Sequence, residues 1–348
     1  MKYNIPFSRV LKQLKDDLIG KDAHRGITLT YAWLANQFGH FSLGFIPAFL
    51  LHHFTNLNGF WAAFYVVVFW AVFEAYNFLG PLLSKRNSRN NTIFIPKKNT
   101  YTFAPKWHNL AFDTFTDICF FALGAFVFGL LVDRVNSTTI TYIIIILCAF
   151  LFFAIRYWYI TKMYQFYARF PFQFRLSQWD FPIHKTHKDI VDDFLNLNVS
   201  SGKHLLISGN ISTGKTSLGI GILNELSIKH NSCLYVNAIK MYNHFFNEEE
   251  ELLESHEIWN WKTTNFLMID DINPSEPIHD ELISPEKLMS FIDTFTAINT
   301  KNRALLKGKN VIWVLGNSQE NMLSDKNKWK NMLIAIGIDN QNISSVSL

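Results

Sequence analysis

His204-Leu-Leu-Ile-Ser-Gly-Asn-Ile-Ser-Thr-Gly-Lys-Thr-Ser217 decides the reading of the carboxyl-terminal half. A short apolar run leads into a loop spelled G-x-x-x-x-G-K-T, and Ser217 to Lys229 then continues with a helical pattern. Strand, glycine-bearing loop and helix in that order form a cradle for phosphates. Backbone N–H groups converge on phosphate oxygens, and the positive end of the helix points at them. The predicted cradle is Gly209, Asn210, Ile211, Ser212, Thr213, Gly214, Lys215, Thr216 and Ser217. Lys215 supplies charge for the β and γ phosphates, and the Thr216 hydroxyl is a ligand for Mg2+. The cofactors expected are therefore ATP and Mg2+.

Downstream, Asn265-Phe-Leu-Met-Ile-Asp-Asp271 reads as an apolar strand ending in two acids. Such a strand delivers the acid that positions the metal ion. Asp270 is assigned to Mg2+, and Asp271 to the base that orients the attacking water. A third apolar run, Val311 to Gly316, delivers Asn317 and Ser318. A polar residue there lies beside the γ phosphate in P-loop ATPases with an extra strand between the two motif strands. Cys233 to Asn237 reads as another strand, and Glu286 to Thr300 as the helix before the Asn317 strand.

GNISTGKT, CLYVNAIKMY, NFLMIDDI and VIWVLGNS, in that order, resemble the core of AAA+ ATPases, most of all the helicase-loader and transposase-helper branch. The resemblance covers residues 178–348. It implies that Asp271 is catalytic alongside Lys215 and that Asn317 is a first sensor. Two departures stand out. Thirty-one residues follow Asn317, too few for the usual helical lid, and no arginine follows Arg303. The usual arginine-finger position holds at best Lys326, Lys328 or Lys330, more readily read as a solvated helix face. An arginine finger is worth about 10³ to 10⁵ in rate, so slow hydrolysis is expected unless a cation is borrowed.

The other half is a different kind of object. Among 348 residues, 1–175 carry 17 Lys/Arg against 7 Asp/Glu, and 176–348 carry 15 against 21. Gly26 to Phe73 is 48 residues without a formal charge, and Val135 to Ile155 is another 21. A spanning helix needs about 20 apolar residues. The fold class expected is thus a four-span α-helical transmembrane bundle joined to an α/β P-loop domain with a parallel sheet and no evident lid. The spans fall near 31–51, 59–80, 107–132 and 139–159. The domain plan is a basic arm at 1–30, the membrane domain at 31–165, a linker at 166–177 and the ATPase domain at 178–348. Soluble helices need a polar face, which these four lack.

Lys and Arg crowd the amino-terminal arm, the 81–106 loop and the segment after the fourth span, whereas the 52–58 and 133–138 loops hold only Arg134. Both termini are therefore expected in the cytoplasm of an inner membrane, with the basic arms against anionic headgroups. The abundance of Phe, Tyr and Trp excludes a disordered chain. The widely spaced Cys119, Cys148 and Cys233 exclude a disulfide framework and a structural zinc site.

Polar residues interrupt the spans at helical spacing: Asn36 and His40, Glu74 and Asn77, Asp113 and Asp117, with His108 before Asp113. Such groups cost about 2.5–3.5 kcal/mol each on insertion scales and usually face a bundle interior. His40, Glu74, Asp113 and Asp117 leave three readings open: a metal site, interhelical hydrogen bonding, or a hydrated path for protons or ions. The expected partners are membrane lipids, further copies of the chain and an unidentified protein. Nucleic acid is not favoured, given the acidic second half and the Glu248–Glu251 run.

The leading expectation is a membrane-anchored ATPase whose ATP binding and slow hydrolysis drive or gate the membrane helices, with one use in defence against foreign elements. The alternative is a tethered helper ATPase that remodels a protein or nucleic-acid complex. A third is an intramembrane transporter or enzyme using Glu74 and Asp113.

Overall fold

Charge-free stretches of the first half become long helices, because a backbone surrounded by apolar groups must satisfy its own hydrogen bonds. The computed structural model describes residues 4–19, 27–83, 101–197, 201–210, 212–241, 258–272, 297–315 and 322–348. They form two compact units, Pro6–Ile160 and Thr161–Leu348.

In the first unit a short helix α1 (Phe7–Leu18) precedes α2 (Leu29–Thr55), α3 (Gly59–Leu83), α4 (Trp107–Val132) and α5 (Ser137–Tyr167). Three of these, α3 (over Gly59–Leu79), α4 and α5, are long and apolar enough to cross a membrane. Helix α2 is as long, but Asn36, Gln37, His40, His52 and His53 make it more polar, and it is not among the three. The expected spans 59–80 and 107–132 fall closely on α3 and α4, whereas the helices that carry the first and fourth spans are longer than the spans. Helix α2 runs on to Thr55, where Asn56 caps it in the left-handed region (φ 56°). Helix α5 runs on to Tyr167, through the start of the expected linker.

Small residues let α2 and α4 touch. A Cβ on Gly44 would strike the Phe121 carbonyl, and one on Gly124 would strike the Phe41 carbonyl. Packing of this kind holds helices together where no hydrophobic difference separates lipid from side chain. Ala48, Ala63, Val66, Ala122, Ala125, Phe126, Phe128 and Ile140 form the core around the crossing. Asp133, between α4 and α5, ties two helix starts. Its carboxylate accepts from the Phe60 N–H (3.1 Å), from the Asn136 N–H (2.9 Å) and from the Asn136 amide (3.0 Å). Sequence reading passed over it as loop.

The second unit is a five-stranded parallel sheet ordered β2-β3-β4-β1-β5. The strands are β1 (His204–Ser208), β2 (Cys233–Asn237), β3 (Phe266–Asp270), β4 (Asn310–Val314) and β5 (Ile343–Ser347). β1, β3 and β4 are buried along their whole length, as the middle strands of a parallel sheet should be. Strand β4 lies between β1 and β3, with Ile207 opposite Val314 and Ile269 opposite Trp313. This is the extra strand that the sequence reading placed between the two motif strands.

The helices of this unit are α6 (Lys185–Leu195), α7 (Lys215–Ile228), α8 (Ala297–Lys307) and α9 (Met322–Ala335). Leu218, Ile222 and Leu226 of α7 are fully buried. The largest core gathers Leu206, Leu267 and Trp313 of the sheet with Trp329 and Leu333 of α9. Helix α8 sits before β4, as expected, but continues past Thr300; residues 286–296 of the expected helix lie outside the described residues.

Candidate functional site

Strand β1 stops at Ser208 and α7 begins at Lys215, so the six residues between them form the loop at the carboxyl edge of the sheet. Gly214 caps α7 in the left-handed region (φ 82°), and a Cβ there would run into the Phe181 ring and the Trp179 indole. Its carbonyl accepts from the Leu218 N–H (2.8 Å), the Ser217 hydroxyl (2.9 Å) and the Trp179 indole N–H (3.0 Å). Three donors on one carbonyl fix the orientation of the loop relative to the helix. Ser212 adopts a positive φ of 63°, and the Thr213 hydroxyl donates to the Asn210 carbonyl at 2.9 Å. Ile211 lies outside the described residues.

The Lys215 ammonium folds over the loop and donates to the Gly209 and Asn210 carbonyls, each at 2.7 Å. Burial lowers its pKa, and the charge of Asp270 opposes that shift. The Thr216 hydroxyl donates to one oxygen of Asp270 at 3.2 Å, and the Tyr235 hydroxyl donates to the other at 3.2 Å. Asp270 is almost wholly buried at the end of β3. Burial pushes its carboxyl up to about 6, the adjacent Asp271 adds to this, and the hydrogen bonds oppose it. Burial likewise raises the Tyr235 phenol, helped by the charges of Asp270 and Asp271.

Asp271 differs sharply from its neighbour. It is exposed and sits in the left-handed region (φ 55°), a conformation that aspartate tolerates better than most side chains. Two adjacent acids in such unlike surroundings are suited to unlike tasks.

The chain thus brings Lys215, Thr216 and Asp270 together at one edge of the sheet. Hard oxygens from a hydroxyl and a carboxylate are the donor set that Mg2+ takes, and here they come from the helix start and the neighbouring strand end. Ser217 turns its hydroxyl back to Gly214. Asn317 and Ser318 lie outside the described residues, as do Glu248–Glu251. Arg303 is partly buried on α8, and Lys326, Lys328 and Lys330 lie on α9 at intermediate to full exposure.

Sequence reading missed Tyr235, Trp179 and Phe181. The first had one signal, a hydroxyl in the strand whose Asn237 pairs with Asp270. The other two stand at the very start of the domain, far from the loop in sequence, and only the folded chain shows them against Gly214.

The helical unit holds a second polar cluster. His40 Nε2 lies 3.4 Å from Asp117 Oδ1 and 3.4 Å from the Asn36 amide, so α2 and α4 are bridged. Glu74 hydrogen-bonds with the Asn77 side chain. The charges of Asp113 and Glu74 both act on Asp117. Among the described residues no group of three or more His, Cys, Asp or Glu side chains could hold a metal ion, so the metal reading of His40, Glu74, Asp113 and Asp117 has no geometry behind it. Of the four, His40 and Asp117 are paired directly, and His108 is exposed.

No family model matches the chain, and no curated protein does. Among solved structures, the DnaC helicase loader is 17% identical, with a TM-score of 0.35, over 50% of this chain and 96% of that one. DnaI is 17% identical, with a TM-score of 0.31, over 50% of this chain and 87% of that one. A replication initiator DnaA bound to AMPPCP and single-stranded DNA is 17% identical, with a TM-score of 0.33, over half of each chain. At these scores the reading rests on the chain's own loop, sheet order and side chains. Together they make its second unit an α/β P-loop domain.

Proposed function

We propose that this protein is a membrane-anchored ATPase of the AAA+ type, in which ATP binding and slow hydrolysis at the Gly209–Ser217 loop set the state of the membrane helices. The observation that supports it is the meeting of Lys215, Thr216 and Asp270 where α7 starts. Loop N–H groups and the α7 dipole hold the phosphates. Lys215 exchanges its two carbonyl partners for phosphate oxygens. Thr216 and Asp270 hold Mg2+, which when bound neutralises charge on the β and γ phosphates. Exposed Asp271 orients the attacking water, and Asn317, the polar residue that comes soon after β4 in the sequence, is assigned the sensor role. A cation in trans comes from a neighbouring copy, for which Arg303 and the α9 lysines are the available groups, so the proposed working form is a homo-oligomer.

A second reading has an observation of its own. His40 and Asp117 pair directly across α2 and α4, as interhelical hydrogen bonding requires. This favours a helper ATPase for which the helices serve as a tether. The two readings part on Glu74→Gln with Asp113→Asn, because amides keep hydrogen bonds and cannot titrate. ATP-dependent ion flux in liposomes that disappears in this double variant, with the ATPase rate unchanged, supports the first reading. Unchanged biological activity in the double variant promotes the tether.

A further inference from the structure

Helix α1 (Phe7–Leu18) buries the wrong face for a helix that packs on protein. At 100° per residue, Phe7, Leu11, Leu14 and Leu18 form one apolar stripe. The residues that α1 buries are Val10 and Asp17, each 7% exposed and to one side of that stripe. Phe7, Leu11 and Leu18 remain 59%, 50% and 50% exposed. Lys12 and Lys15 border the stripe on its other side.

The position of α1 is fixed by hydrogen bonds. The Asp17 carboxylate accepts from the Thr30 N–H (3.0 Å) and the Thr30 hydroxyl (2.7 Å), within the first turn of α2. That hydroxyl also lies 2.7 Å from the Tyr159 hydroxyl of α5. The Arg156 guanidinium stands 6.0 Å from the centre of the Phe7 ring. Helix α1 is therefore held level with the start of one long helix and the final third of another. Those two helices also leave apolar side chains uncovered, among them Tyr31, Leu34, Phe152 and Phe153.

We infer that α1 lies in the cytoplasmic interface of the bilayer, with Phe7, Leu11 and Leu18 among the acyl chains and Lys12 and Lys15 against anionic headgroups. This rests on the reading of the long helices as membrane spans. An apolar stripe bordered by lysines suits such a surface, and each lysine near it is attracted to acidic lipid. Asp17 is spared the interface because it caps α2.

Single cysteines at Phe7, Leu11, Leu18, Ser8 and Lys12, in full-length protein carrying Cys148→Ser, can be labelled with an environment-sensitive dye. The protein is reconstituted in phosphatidylcholine vesicles with and without phosphatidylserine. A sixth label at Phe152 reports on the spans. Blue-shifted emission and quenching by brominated lipid at 7, 11 and 18, with aqueous iodide quenching only 8 and 12, is the expected result. Lys12→Gln with Lys15→Gln should reduce quenching at Leu11 in phosphatidylserine vesicles to its level in pure phosphatidylcholine. Iodide quenching at 7, 11 and 18 equal to that at 12 would overturn the proposal. So would shielding from both quenchers with energy transfer between copies, which would make the stripe a contact between chains. Loss of lipid quenching at Phe152 would instead sink the spanning reading, so the two failures are told apart.

Discussion

The nucleotide loop and the polar cluster of the helical unit both place acids beside hydrogen-bonding partners, but by different means. At the loop, position comes from backbone: β1 ends, six residues turn, α7 begins, and Asp270 ends β3, one strand away across β4. In the helical unit, His40 meets Asp117 only because α2 and α4 approach closely at Gly44 and Gly124 and present the right rotation. The first arrangement survives loss of a side chain with its geometry intact. The second depends on packing, so a change that touches no polar atom can dismantle it.

Lys215→Ala is the harshest break on the nucleotide side. Losing one partner of a buried charge pair costs about 3–5 kcal/mol, so ATP affinity should fall by about 100-fold or more. Titration with a fluorescent ATP analogue measures this, and thermal unfolding should show the domain still folded. Wild-type affinity in this variant would remove the loop from the site.

Asp271→Asn should leave Mg·ATP binding intact and lower phosphate release about 10² to 10⁴-fold, the usual contribution of a positioned base. Equal turnover in variant and wild type would move the base elsewhere.

Acidity separates Asp270 from the rest of the site. Its folded pKa is raised to about 6, so the folded domain takes up a proton before the unfolded chain does. The nucleotide-free domain should gain stability from this group as pH falls through about 6, the reverse of a salt-bridged aspartate. Mg2+-dependent ATP binding should weaken over the same range, approaching tenfold per pH unit. Asp270→Asn should flatten both profiles, read by calorimetry and by nucleotide titration.

In the helical unit, Gly124→Val introduces a side chain where the Phe41 carbonyl already sits. Overpacking of this kind costs about 1–3 kcal/mol. Detergent-solubilised protein should melt earlier in its helical unit, while ATP binding at the P-loop unit persists. A smaller loss, about 0.5–2 kcal/mol, is expected for Asp133→Ala, because the carboxylate caps the starts of α3 and α5. Asp133→Asn should recover part of it.

Much of the P-loop unit was legible beforehand, since its determinants are local. His204–Ser208 was read as a strand and is one, and the helix follows the loop. Strand β5 escaped notice because Ile343-Ser-Ser-Val-Ser347 has only two apolar residues; pairing of His204 with Ile343 and Ser208 with Ser347 makes it a strand. Lys309 is another case. It looks like a surface charge, yet its ammonium donates to the Lys262 and Thr264 carbonyls, and burial lowers its pKa to about 8.

By itself the sequence determined the phosphate loop, the acid-ended strand and the apolar lengths of the first half, because each depends on residue type at fixed spacing along one element. Tertiary structure alone decided that Tyr235 bonds Asp270, that Trp179 holds the Gly214 carbonyl, that His40 faces Asp117, and that α1 turns its apolar stripe outward. These contacts join residues distant in the chain or depend on helix rotation, and a residue pattern specifies a face without naming what will stand against it.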